Sequence, residues 1–138
     1  MGEKVLVVDS DTESLERIKS LLYKGGYRPV AAEDGCIGLQ ALKEEGEFAA
    51  IIVDEEVGSG LSGLDILQRI KDISPNIPVV MSSTSWTTET LLDCTEEGAF
   101  FCVEKQAEAG NDTLLRVLNQ AIEEHKLSPL IRGAAPKI

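Results

Sequence analysis

"AAIIVDEEVGSG", residues 49–60, runs from five apolar residues straight into three carboxylates, Asp54, Glu55 and Glu56, and then into a glycine-rich loop. An apolar run of strand length without alternation predicts a β-strand covered on both faces, as in a parallel sheet. Similar β-branched runs stand at "VLVV" (5–8), "RPVAA" (28–32), "IPVVM" (77–81) and "FFCV" (100–103). The segments between and after them carry helical spacing: Leu15, Ile18 and Leu22; Ile37, Ala41 and Leu42; Leu64, Leu67 and Ile70; Leu91, Leu92 and Thr95; and Leu114, Val117, Leu118, Ala121 and Ile122. "KGGY" (24–27), "SPNIP" (74–78) and "GND" (110–112) supply the stop and start signals. The pattern is β then α, five times. It predicts a doubly wound α/β domain, a five-stranded parallel sheet between layers formed by five helices. The tail "LSPLIRGAAPKI" (127–138) reads as a linker or loose end.

At 138 residues, 43% of them hydrophobic, the chain fits one globular domain with a real core. Its 24 acidic residues against 13 basic ones leave a formal charge of -11, which argues against direct binding to nucleic acid or an anionic membrane. Cys36, Cys94 and Cys102 are odd in number and form no CxxC pair, so a disulfide framework or zinc centre is not expected. A reducing, cytoplasmic setting fits this usage. No apolar run approaches the roughly 20 residues of a membrane span.

In open parallel sheets, ligands bind beyond the carboxyl ends of the strands, where strand order reverses. Asp9 ends the first strand, Asp54 the third, Ser83 and Thr84 the fourth, and Glu104 and Lys105 the fifth. In the order 2-1-3-4-5 the first and third strands are neighbours, which brings Asp9 close to Asp54. Two adjacent carboxylates repel unless a cation or proton intervenes, and magnesium favours oxygen ligands of this kind. A carboxylate so placed can attack a phosphoryl group, with Lys105 as a point charge and Ser83 as hydrogen-bond donor to its oxygens. Each residue also has a plainer reading: one of Asp9 to Thr12 is needed as a helix N-cap, Ser83 and Thr84 can simply end a strand, and Lys105 can be a surface lysine. Their joint placement favours the site.

With these residues in place, the chain resembles, over residues 3–126, the receiver domain of bacterial two-component response regulators, the CheY-like family, with its flavodoxin-like fold. "KVLVVDSD", "AAEDGCIGLQAL", "IIVDEEVGSGLSGLDIL", "IPVVMSST" and "GAFFCVEK" carry the likeness. The resemblance implies that Asp54 is the phosphoacceptor, and that Mg2+ is held by Asp9, Asp54, the backbone carbonyl of Glu56 and, through a water, Ser10. It further implies that Ser83 is the switch hydroxyl, Lys105 the phosphate-pairing lysine, and Thr84 and Cys102 the flanking switch positions. The partner it implies is a histidine kinase or phosphotransfer protein. A homodimer or downstream partner would use the face of the fourth helix, fifth strand and fifth helix. A phosphorelay element of this kind is a phosphoprotein, not an enzyme.

The sequence departs from the family pattern at several points. Ser10 replaces the second acid after the first strand, removing one charge unless Asp11 or Glu56 turns inward. The loop after Asp54 lacks a proline and is one residue longer, Cys102 stands for an aromatic, Thr84 for a smaller residue, and Gln106 for a proline. These motivate a second reading, a pseudo-receiver that binds protein without phosphorylation. A third reading notes that "VDSDTE" (8–13) comes close to the signature of haloacid-dehalogenase-type phosphatases, with Asp9 as nucleophile and Asp11 as acid. That reading leaves Asp54 unused and meets Glu13 where Thr or Val is expected. Within the opening stretch, Glu55 is expected to face solvent, and Trp86 to lie near the site.

Overall fold

A computed structural model describes residues 2–56, 60–105 and 109–134, with 109–112 and 128–134 as backbone only. Among the described residues ten elements alternate: β1 Lys4–Val8, α1 Thr12–Lys24, β2 Arg28–Ala32, α2 Gly35–Glu45, β3 Ala50–Asp54, α3 Gly63–Ile73, β4 Val79–Ser83, α4 Thr88–Glu96, β5 Phe101–Glu104 and α5 Ala109–Ala134. The strands form one parallel sheet, as the alternating pattern predicts, and their order is β2-β1-β3-β4-β5.

Side chains alternate across a strand, so each central strand feeds two cores. Leu6, Val8, Ile51, Val53, Val79 and Met81 face one layer with Leu39, Leu42, Ile66, Leu67 and Ile70 of α2 and α3. Val5, Val7, Ala50, Ile52, Val80 and Val103 face the other, against Leu15, Ile18 and Leu22 of α1 and Leu114, Leu118 and Ile122 of α5. Complete burial of β3 and β4 explains why these strands read as unbroken apolar runs. Each fully buried leucine or isoleucine stabilises the fold by about 1.5–3 kcal/mol relative to exposure.

Strand β4 lies two residues later than "IPVVM" suggests. Pro78 has no N–H to give a ladder, and its carbonyl instead accepts from the Ile51 N–H at 3.0 Å. The pairing Asp54↔Ser82 and Ser83↔Glu104 then draws both serines into the sheet. Two helices also expose residues that their spacing marks as core. In α2, Ile37 is 50% exposed, because Gly38 lies against β1: a Cβ there would stand 2.6 Å from Val8 Cγ2. In α4, Leu91 and Leu92 are exposed and Cys94 is the residue that enters the core.

Helix α5 opens at Ala109 rather than within "GND", and it continues through residues 127–134. The first part of the stretch read as a linker or loose end is thus helical. Leu127, Leu130 and Ile131 keep helical spacing, so the sequence after 126 prolongs the helix.

Candidate functional site

Asp9 follows β1 directly and Asp54 is the last residue of β3, so the sheet delivers both to its carboxyl edge. They are only 1% and 6% exposed. Between them stands the ammonium of Lys105, just beyond β5. Its Nζ donates to Asp9 Oδ2 at 2.7 Å and to Asp54 Oδ2 at 3.0 Å. The backbone fixes this lysine, since its N–H donates to the Ser83 carbonyl at 2.7 Å. The expected closeness of the two acids is therefore realised through a shared cation.

The remaining acceptor atoms distinguish the two carboxylates. Asp9 Oδ1 accepts the Asp11 N–H at 2.9 Å, and Asp9 Oδ2 also accepts from Ser14 Oγ at 2.8 Å. Burial alone would raise the Asp9 carboxyl, but hydrogen bonds from Lys105, the Asp11 N–H and Ser14 outweigh it and hold it below its ordinary value. Asp54 has fewer donors: the Glu56 N–H at 3.1 Å on Oδ1, and Lys105 on Oδ2. Burial wins there, and with the nearby charge of Asp9 it pushes Asp54 up to about 6. Lys105 is raised, because the hydrogen bonds and charges of both acids exceed the opposing effect of its burial.

Asp11 does not turn inward. Its side chain is the N-cap of α1, accepting from the Glu13 and Ser14 N–H groups. Ser10 is exposed, and its Oγ donates to the Glu56 carbonyl at 3.4 Å. Glu56 itself is exposed, so its side chain does not replace the charge lost at Ser10. Ser83 is completely buried at the end of β4, and its Oγ accepts the Ser85 N–H at 3.1 Å. Thr84 is exposed beside it. Cys102 is half-buried against the α2–α3 core, while Phe101 points outward, 49% exposed. Burial raises the Cys102 thiol, and the charge of Glu55 adds to this. Trp86 lies by the same strand ends, its Nε1 donating to the Val103 carbonyl at 2.8 Å. Gln106 and the loop 57–59 lie outside the described residues.

Glu55 overturns its expected solvent-facing position. Its Oε1 accepts from Ser83 Oγ at 3.1 Å, and its Oε2 is buried with no hydrogen-bond partner among the described residues. Sequence inspection also misses Ser14 as a ligand of Asp9. Only the helix start at Thr12 turns Ser14 back toward the strand end.

Among the described residues, no group of three or more His, Cys, Asp or Glu side chains comes together as a metal centre. The oxygen set nevertheless suits a hard divalent cation: two buried carboxylates plus a main-chain carbonyl at Glu56.

The family model described as the response regulator receiver domain matches residues 5–123. Among curated proteins, the chain is 33% identical over 123 residues to an NtrX-like response regulator of Rickettsia bellii, covering 89% of this chain and 25% of that protein. It is 36% identical over 98 residues to the two-component response regulator-like protein APRR5 of Arabidopsis thaliana, covering 70% and 18%. The chain thus spans a quarter or less of these relatives. Among solved structures, a receiver domain from Clostridium thermocellum superposes with a TM-score of 0.83 at 29% identity, covering 91% of this chain and 98% of that one. NtrX from Brucella abortus, solved in complex with ATP, superposes with a TM-score of 0.88 at 28% identity, covering 100% and 31%.

Proposed function

Since the chain belongs to the response regulator receiver domain family, we propose that it accepts a phosphoryl group on Asp54, assisted by magnesium. The observation that carries this reading is the sharing of the Lys105 ammonium between two buried strand-end carboxylates. A carboxylate oxygen of Asp54 attacks phosphorus, the bond from phosphorus to the donor's leaving atom breaks, and an acyl phosphate forms. From a phosphohistidine donor the imidazole nitrogen leaves and takes a proton. Lys105 then exchanges Asp54 for a phosphoryl oxygen, and Ser83 donates to another. Asp9, Asp54, the Glu56 carbonyl and Ser10 through a water are the residues that would hold magnesium. The bound ion supplies charge neutralisation for the phosphoryl oxygens.

The donor on this reading is a histidine kinase or phosphotransfer protein in the cytoplasm, and the receiver unit covers residues 3–126. Exposed Leu91, Leu92 and Phe101 offer apolar contact on the face of α4 and β5 for a second copy or an output partner. Among the described residues, no helix is long and apolar enough to cross a membrane. The pseudo-receiver reading keeps one observation in its favour, the uncompensated loss of an acid at Ser10. The phosphatase reading weakens, because Asp11 is committed to capping α1.

Intact-mass measurement after incubation with magnesium and acetyl phosphate tests the proposal. One phosphoryl addition in the wild type, absent from Asp54→Asn, is the expected result. No addition would favour the pseudo-receiver, and equal addition to the variant would refute Asp54 as the acceptor by placing the phosphoryl group on another residue.

A further inference from the structure

Ser83 has a single hydroxyl proton, so it can donate one strong hydrogen bond at a time. That proton is directed at Glu55 Oε1, 3.1 Å away, while the lone pairs of Ser83 Oγ receive the Ser85 N–H. We infer that Glu55 is a built-in competitor for the Ser83 hydroxyl, holding it until a phosphoryl group on Asp54 displaces the carboxylate, and so sets how readily that group is captured. This rests on the phosphoryl-acceptor reading above.

Three features make the competition specific. First, the backbone of Glu55 is pinned on both sides: its N–H donates to the Ser82 carbonyl at 2.7 Å, and its carbonyl accepts the Gly63 N–H at 2.9 Å. Release therefore has to come from side-chain rotation. Second, the carboxylate is held at a disadvantage, since Oε2 is buried without a partner among the described residues. A carboxylate with one oxygen unsatisfied exchanges its single bond for solvent more readily than a fully satisfied one. Third, a cavity of about 310 Å³ opens beside it, lined by Glu55, Ser62, Leu64, Thr90, Asp93 and Cys94, and gives the side chain room to turn away.

The contact and the phosphorylated state exclude each other for two reasons. One hydroxyl proton cannot serve both acceptors. The phosphoryl oxygens also bring negative charge toward a carboxylate that shares the same serine, which disfavours the Glu55 position further. Glu55 is thus a positioning residue that acts through Ser83, with no contact to the reacting atoms required of it.

The test uses the full chain with magnesium, reading beryllofluoride affinity by Trp86 fluorescence and the rate of phosphoryl uptake from acetyl phosphate by intact mass. Removing a charged acceptor from the competing hydrogen bond should tighten beryllofluoride binding about tenfold in Glu55→Ala, and by less in Glu55→Gln, whose neutral amide still accepts. Phosphoryl uptake should accelerate in the same order. In a Ser83→Ala background most of the Glu55→Ala effect should vanish, because the contested proton is gone and only charge repulsion remains. Glu55→Gln keeps the side-chain volume and guards against a folding effect of the alanine. An unchanged midpoint in both Glu55 variants, or a Glu55→Ala effect that persists undiminished without the Ser83 hydroxyl, overturns the inference while leaving phosphoryl acceptance intact. No uptake by the wild type or by either Glu55 variant removes the inference together with the reading beneath it.

Discussion

Replacing Lys105 by methionine removes a cation that two buried carboxylates share, at 2.7 Å from Asp9 and 3.0 Å from Asp54, while keeping the length of the side chain. The lysine side chain is only 10% exposed, and those of its partners 1% and 8%, so solvent cannot take over its role. Breaking a buried pair by deleting one partner costs about 3–5 kcal/mol, because the remaining charge stays uncompensated. For a domain of this size that corresponds to a fall in Tm of about 10–20 °C. The deficit should depend on pH. Asp54 already sits at about 6, above the 3.8 of an unperturbed aspartate, because burial outweighs its donors. Losing the hydrogen bond and charge of Lys105 moves it higher still. A carboxyl raised by folding imposes no penalty below its unfolded value, and the full penalty above its folded one. The variant should therefore lie furthest below the wild type near pH 8 and recover much of the gap near pH 5, where Asp54 can take a proton. Magnesium should raise the variant's Tm more than the wild type's, since the ion restores positive charge between the acids. Thermal melts by circular dichroism at the two pH values, with EDTA or magnesium, provide the assay. A deficit below about 1 kcal/mol near pH 8 would place Lys105 among ordinary surface ion pairs. A larger deficit indifferent to both pH and magnesium would refute the electrostatic reasoning in another way.

Two further outcomes follow from local geometry. Burial raises the thiols of Cys94, up to about 12, and of Cys102, whereas Cys36 is exposed on α2. Iodoacetamide near neutral pH should therefore add a single group to the native protein, at Cys36, as peptide mapping would report; equally rapid labelling of Cys102 would contradict its described burial. Gly63 opens α3 so close to the acidic loop that a Cβ would lie 2.6 Å from Glu55 Cα and 2.7 Å from the Asp54 carbonyl oxygen. Both neighbours are backbone, so Gly63→Ala should cost about 1–3 kcal/mol in denaturant unfolding and slow phosphoryl uptake. A stability equal to the wild type's would show that the helix start can retreat without disturbing Asp54.

The sheet was legible because parallel strands covered on both faces leave unbroken apolar runs, and "AAIIV" leading into Asp54 is the clearest of them. Asp9, Asp54, Ser83 and Lys105 were legible as strand-end residues for the same reason. Helix faces were harder to read. The glycine approach of Gly38 to Val8 rotates Ile37 outward, and no spacing rule contains that contact. In α4, nine residues bury one cysteine, and the leucines that spacing marks as core stay exposed. Glu55 was misread because alternation from a buried Asp54 suggests solvent, whereas the chain leaves the strand at that point and aims the side chain at Ser83. The role of Ser14 depended on where α1 begins, which is set by the Asp11 cap.

The central claim is that Asp54, and not its neighbour Asp9, carries the phosphoryl group. Reductive trapping decides this directly: borodeuteride converts an aspartyl phosphate to deuterated homoserine, which peptide mass spectrometry places in the sequence. After incubation with magnesium and acetyl phosphate, homoserine is expected at position 54 and none at position 9. Label at position 9, or at neither acid despite a gain in intact mass, would contradict it.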